Sequence, residues 1–201
     1  IVESWRPMGL DTSAGCVLMA QFDNGAGAAE MDADRFVAIA ERAGASEIHR
    51  SETPEEAELL LGARRMAILA IEEAGDWLLD DIAVPRARLA EALQRIEDIS
   101  AKREVSICTF GHAGDGNLHP TIITERGDAD ARGRAMAAFD DILEVALDLG
   151  GTITGEHGIG NLKQRMLARE LDEAAQDLHT RVKSAWDPDN ILNPGKSLPR
   201  W

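Results

Sequence analysis

EVSICTFGHAGDGNLHPTIIT, residues 104–124, is the stretch whose reading decides the architecture. EVSICTF (104–110) reads as a strand and HPTIIT (119–124) as a second one, both rich in β-branched and apolar residues. Between them, Gly111, Gly114 and Gly116 rule out a helix, because glycine is among the poorest helix formers. The result is a strand–loop–strand unit. Its loop can turn sharply and let the backbone come close to a ligand. His112 and His119 sit at the two stems of that loop, where their imidazoles can converge.

Working outward, GCVLMAQFDN (15–24) is a continuous apolar run between glycines and is expected as a central strand; SEIHRS (46–51) is expected as a short one. DADRFVAIAERAGA (32–45) places Phe36, Ile39, Ala40 and Ala43 on one helical face and is closed by Gly44. TPEEAELLLGARRMAILAI (53–71) starts a helix with Thr53 as N-cap, Pro54 at the first position and acids in the first turn. DWLLDDIAV (76–84) is expected as a strand, and Pro85 opens a helix with an apolar stripe of Leu89, Leu93 and Ile96. DARGRAMAAFDDILEVALDLG (130–150) is a long helix, GTITG (151–155) a strand, and NLKQRMLARELD and AAQDLHTRVKSAW two final helices ahead of a turn-rich tail (187–201). This order predicts an α+β domain with a mostly antiparallel sheet covered by helices on one face.

The composition is that of an ordinary globular chain of 201 residues, with a net charge of −15 and no basic block. That charge argues against nucleic acid and anionic membrane surfaces as partners. Cys16 and Cys108 read as two buried free thiols of a reducing compartment. There is no signal peptide and no apolar run of membrane-spanning length. A cytoplasmic location is expected, with a peripheral place at the inner membrane face open through a partner. The chain opens Ile1-Val2-Glu3 without an initiator methionine, which fits a piece of a longer protein.

Two converging neutral imidazoles form half of a transition-metal site. GGTITGEHGIGNLK (150–163) offers the rest. Glu156 and His157 are adjacent between a strand and a helix. In extended backbone neighbours point to opposite sides, so Glu156 can complete a His₂Glu set while His157 faces the reacting atom as a general base. The same segment lacks the Gly-Lys-Ser/Thr ending of a phosphate loop. His49 and His179, each alone in a regular element, read as ordinary residues. Two rival functions are open: a self-sufficient metal hydrolase, and a non-catalytic hydroxy-acid or partner-binding module.

GHAGDGNLHP, GGTITGEHGIG and WDPDNILNPGKSL, in this order, resemble the C-terminal half of the FAD-linked 2-hydroxy-acid dehydrogenases, the glycolate oxidase flavoprotein-subunit and D-lactate dehydrogenase group within the vanillyl-alcohol oxidase family. DIAVPRARLAEAL (81–93) and the ARR of LGARRMAIL (61–69) share the likeness, which runs from about residue 50 onward and is weaker before it. The resemblance implies a ferredoxin-like substrate-binding cap domain over residues 1–201, with 187–201 as a tail near the flavin. It implies a divalent metal, zinc or manganese, on His112, His119 and Glu156, His157 as catalytic base, and Arg64 pairing the substrate carboxylate. Asn117 is placed beside the ligands or on the flavin side, and Asn193 and Lys196 near the flavin.

FAD itself is expected mainly on an N-terminal domain, which nothing in these residues resembles, so the chain alone is expected to be inactive. The substrate expected is a small D-2-hydroxy acid, oxidised to the 2-oxo acid. An electron-acceptor subunit and a homo-oligomer are compatible partners. Leu61 stands where many members have Trp. Leu79 and Thr121 stand where the hydroxyglutarate branch is expected to carry Lys and Asn. Apolar Leu79 cannot hold a second carboxylate, which favours a monocarboxylate such as glycolate or lactate.

Overall fold

Proline 120 marks the centre of the sheet, because it interrupts an otherwise continuous pairing. In the computed structural model, which describes residues 1–25 and 27–197, the chain divides into two compact units, Ile1–Glu73 and Ala74–Trp201. Among the described residues the first carries α1 (Val2–Trp5), α2 (Ala28–Arg42), α3 (Pro54–Arg65) and nearly all of α4 (Ala67–Ala74). Gly44 in the left-handed region follows α2, as expected, and the Thr53 hydroxyl accepts from Glu56 N at the start of α3. The strands expected at 15–24 and 46–51 do not form. Neither run joins a sheet among the described residues, and Val17 and Leu18 stay 79% and 61% exposed. A strand-like composition is not enough, because a strand needs a neighbour to satisfy its amides. Cys16 is consequently exposed rather than buried, and Cys108 is half-buried; both are free thiols.

The second unit contains β1 (Asp76–Leu79), β2 (Ile82–Ala83), α5 (Leu89–Arg103), β3 (Ser106–His112), β4 (Asn117–Thr124), α6 (Ala129–Asp148), α7 (Leu167–Glu170) and α8 (Glu173–Trp186). All its strand pairs are antiparallel. β4 is central, with β3 on one side and β1 then β2 on the other. The strand expected at 76–84 is thus split, and the expected strand 151–155 is reduced to one bridge, Thr152 to Ala83. The resulting order, β–α–β–β–α followed by that bridge, is the ferredoxin-like arrangement. NLKQRMLARELD forms only a 3₁₀ turn, Gln164–Met166, and the single turn of α7.

β1 pairs β4 from Asp76↔Thr124 to Leu79↔Thr121, and β2 pairs it at Ile82↔Leu118 and Ala83↔Asn117. The register is the same on both sides of the gap, so Asp80 and Asp81 stand opposite Pro120 and His119. Proline has no N–H for the ladder, although Asp80 N still donates to Pro120 O at 2.8 Å.

Strand alternation then sorts the two faces. Leu78, Ile82, Ile107, Leu118 and Ile122 face one way and join a core with Ala92 and Ile96 of α5 and with Phe139, Ile142, Leu143 and Ala146 of α6. The opposite face receives Asp81, His112, Asn117 and His119. Asp128 caps α6 by accepting from Asp130 N and Ala131 N. The last four residues of the 187–201 tail lie outside the described residues.

Candidate functional site

The face of the sheet away from α5 and α6 is where the expected residues meet. β3 ends at His112, opposite Asn117. His119 lies two residues inside β4 rather than at the loop stem, and is only 4% exposed. Its ring packs against Phe110, with centroids 5.5 Å apart, and meets His112 edge-on at 5.6 Å.

The segment 154–158 brings up Glu156 and His157 from across the site. Glu156 Oε1 lies 3.2 Å from His119 Nε2, 3.9 Å from His112 Nε2 and 3.6 Å from His157 Nε2. The His157 ring stacks on His119 at 4.9 Å with an interplanar angle of 13°. The expectation that Glu156 and His157 point to opposite sides fails, because 155–157 is a bend, not extended chain.

One buried carboxylate makes that bend. Asp81 Oδ2 accepts from His157 N at 2.8 Å and from Glu156 N and Thr154 Oγ1 at 3.0 Å each. Its Oδ1 accepts from Asn117 Nδ2 at 3.0 Å. Burial on its own would raise the Asp81 pKa; the donors, led by the His157 and Glu156 amides, outweigh it and hold the group at about 2. Gly155 makes room, since a Cβ there would stand 1.9 Å from Asn117 Nδ2 and 2.8 Å from Asp81 Oδ1. Beneath, Lys163 Nζ donates to Asp81 O, to Ile153 O at 2.7 Å and to Asp80 Oδ1 at 2.8 Å. Burial pushes the Asp80 pKa up to about 6 against the pull of Lys163. Burial also holds the His119 imidazole below its ordinary value, with the Asp81 charge opposing.

Donor atoms of His112, His119 and Glu156 all lie within 4.8 Å of one another. Ligands about 2.0–2.1 Å from a tetrahedral ion stand roughly 3.3 Å apart, so this set fits a divalent ion after small adjustments. Asp81, His119 and His157 form a second such group, but Asp81 already accepts four hydrogen bonds and acts there as an acceptor hub.

Asp80, Asp81, Thr154 and Lys163 were not anticipated. The signal was the acidic pair within the apolar run DWLLDDIAV, since buried carboxylates occur where something needs them. Arg64 lies exposed near the end of α3 in the first unit. Asn193 and Lys196 are exposed in the tail, which is tied to the loop after His157 by Ser197 N to Gly160 O and Gln164 Nε2 to Gly195 O, both 2.8 Å. Neither is among the groups gathered around Glu156. His49 pairs with Glu47, and His179 bonds Ala175 O within its helix.

Among the described residues no helix is long and apolar enough to cross a membrane. The family model described as FAD linked oxidases, C-terminal domain, matches residues 1–197, so the likeness extends through the first fifty residues as well. The glycolate oxidase subunit GlcD of Bacillus subtilis (strain 168) is 43% identical over 201 residues, 100% of this chain and 43% of that protein. GlcD of Escherichia coli (strain K12) is 30% identical over 198 residues, 98% of this chain and 40% of that one. A D-lactate dehydrogenase of Anaerostipes hadrus is 34% identical over 189 residues, covering 92% and 40%. The chain therefore spans less than half the length of these curated relatives, and it belongs to the family of C-terminal domains of FAD-linked oxidases.

Proposed function

We propose that this chain is the substrate- and metal-binding part of a flavin-dependent oxidoreductase that oxidises a small D-2-hydroxy acid, of the glycolate or D-lactate type, to the 2-oxo acid. The observation that carries this reading is the convergence of His112, His119 and Glu156 within 4.8 Å, with the His157 ring stacked on His119. His112, His119 and Glu156 would hold zinc or manganese. Such an ion, when bound, supplies Lewis acidity toward the hydroxyl of a hydroxy acid. FAD, held mainly by another domain, supplies the two-electron acceptor.

The remaining work belongs to side chains of this protein. His157 Nε2 accepts the proton of the substrate hydroxyl; its imidazole is half-exposed and so open to an incoming ligand. Arg64 offers a planar fork for the carboxylate. Leu79 pairs with Thr121 on the site face of the sheet, and an apolar group there favours a substrate with one carboxylate. Asn117 supports Asp81, while Asn193 and Lys196 approach the flavin. The partners in this reading are the hydroxy acid, the FAD-binding domain and an electron-acceptor subunit, at a cytoplasmic location.

The test is His157→Ala in the full-length, flavin-loaded protein. Turnover of D-2-hydroxy acids should fall by about 10²–10⁴ with metal content retained. Unchanged turnover would remove His157 as the base, and hydrolytic turnover without flavin would remove the oxidoreductase reading.

A further inference from the structure

A single hydroxyl ties together the two ends of the segment that carries Glu156 and His157. Ile153 is fully buried, and it is fixed by donating its N–H to Glu170 Oε2 at 2.9 Å and by accepting from Lys163 Nζ at 2.7 Å. Thr154 therefore starts from an anchored base. Its Oγ1 donates to Asp81 Oδ2 at 3.0 Å and accepts from Gly158 N at 2.8 Å. We infer that Thr154 is a positioning residue, whose hydroxyl closes the segment 154–158 and so sets where Glu156 and His157 stand against His119.

A hydroxyl has one proton to give and two lone pairs to offer. With the proton directed at the Asp81 carboxylate, the lone pairs are left for the Gly158 N–H. The N–H groups of Glu156, His157 and Gly158 thus all turn inward, the first two onto Asp81 Oδ2 and the third onto Thr154. Successive N–H groups turned to one side make a concavity for an anion, filled here by Asp81. Gly158 completes the curl at a φ of 83°, where glycine carries no steric penalty. With the amides inward, the two side chains leave on the same outer side. Glu156 Oε1 then reaches His119 Nε2 at 3.2 Å while the His157 ring stacks on the same imidazole. The catalytic consequence rests on the proposed function; the closure of the segment does not.

Two substitutions separate positioning from packing. Thr154→Val keeps the shape and removes the hydroxyl, and Thr154→Ser keeps the hydroxyl and removes a methyl. In Thr154→Val a methyl faces the carboxylate and Gly158 N loses its acceptor. Glu156 and His157 still donate to Asp81, so the segment opens at its far end, beside His157. A packing role would follow the lost methyl; a positioning role follows the lost hydroxyl.

Both variants and the wild type are compared as the full-length, flavin-loaded protein, by zinc affinity from chelator competition and by turnover of a D-2-hydroxy acid. Thr154→Val should bind zinc about 10–100-fold more weakly and turn over about 10²-fold more slowly, with an unfolding midpoint close to that of Thr154→Ser. Thr154→Ser should stay near the wild type in both measurements. Wild-type affinity and turnover in Thr154→Val overturn the inference, and so does an equal loss in the two variants. Amide hydrogen exchange of the metal-free full-length wild type supplies a readout that needs neither variant: the Gly158 N–H should be protected. Exchange there at the rate of an unstructured glycine overturns the inference even if Thr154→Val does not fold. A wild type that neither binds the ion nor oxidises a hydroxy acid removes the proposed function, while exchange at Gly158 still decides whether Thr154 closes the segment.

Discussion

Replacing Lys163 with Met asks how much of the site rests on the ion pair beneath it. Lys163 is 5% exposed and Asp80 fully buried, 2.8 Å apart. The ammonium uses its three protons on Asp80 Oδ1, Asp81 O and Ile153 O. Met keeps the volume and the apolar stem but strands a buried carboxylate and two carbonyls. Removing one member of a buried pair costs about 3–5 kcal/mol.

The loss depends on pH in a direction that can be worked out. Burial already raises Asp80 from 3.8 to about 6 in the folded wild type, and removing Lys163 raises it further. Below both the unfolded and folded values Asp80 is protonated in either state and contributes no pH dependence. As pH rises through 6 the wild-type group ionises, whereas the folded variant retains a proton that its unfolded form has lost. The stability gap should therefore widen above pH 6, by at most about 1.4 kcal/mol per pH unit. Urea unfolding followed by circular dichroism at pH 5 and pH 8 measures it. The double variant Asp80→Asn/Lys163→Met should be less damaged than Lys163→Met alone. A loss below about 1 kcal/mol at pH 8, or a gap that narrows with rising pH, would refute the reasoning.

Gly155→Ala should displace the Asn117 amide and cost about 1–3 kcal/mol, with weakened metal binding. Gly114→Ala, where an added Cβ meets nothing within 4 Å, should change the unfolding midpoint little. In the flavin-loaded protein, Arg64→Lys should raise KM for a D-2-hydroxy acid more than it lowers kcat, since the ammonium keeps the charge but loses the two-pronged geometry; an unchanged KM would remove Arg64 from carboxylate binding.

The parts of the fold legible in the sequence are those where local pattern and tertiary need coincide. The apolar, β-branched runs that become β3 and β4, the stripe Leu89, Leu93 and Ile96, and the long helix after Asp128 all form where the local pattern placed them. The runs at 15–24 and 46–51 misled because local composition does not report the presence of a partner strand. The site was legible as chemistry: His112, His119, Glu156 and His157 do gather. Its support was not. Asp81 reaches His119 through strand register and reaches the 154–157 bend through three hydrogen bonds, neither of which spacing encodes. The two adjacent acids in an apolar strand were the available clue, and the bend that Asp81 stabilises is why Glu156 and His157 face the same side.

The central claim is that His112, His119 and Glu156 form one divalent-metal site. Elemental analysis after dialysis against zinc or manganese, comparing wild type with Glu156→Gln and with His112→Ala/His119→Ala, tests it most directly. The account predicts one ion per wild-type chain, weaker retention in Glu156→Gln and none in the double variant. Equal metal content in all three folded proteins would contradict it.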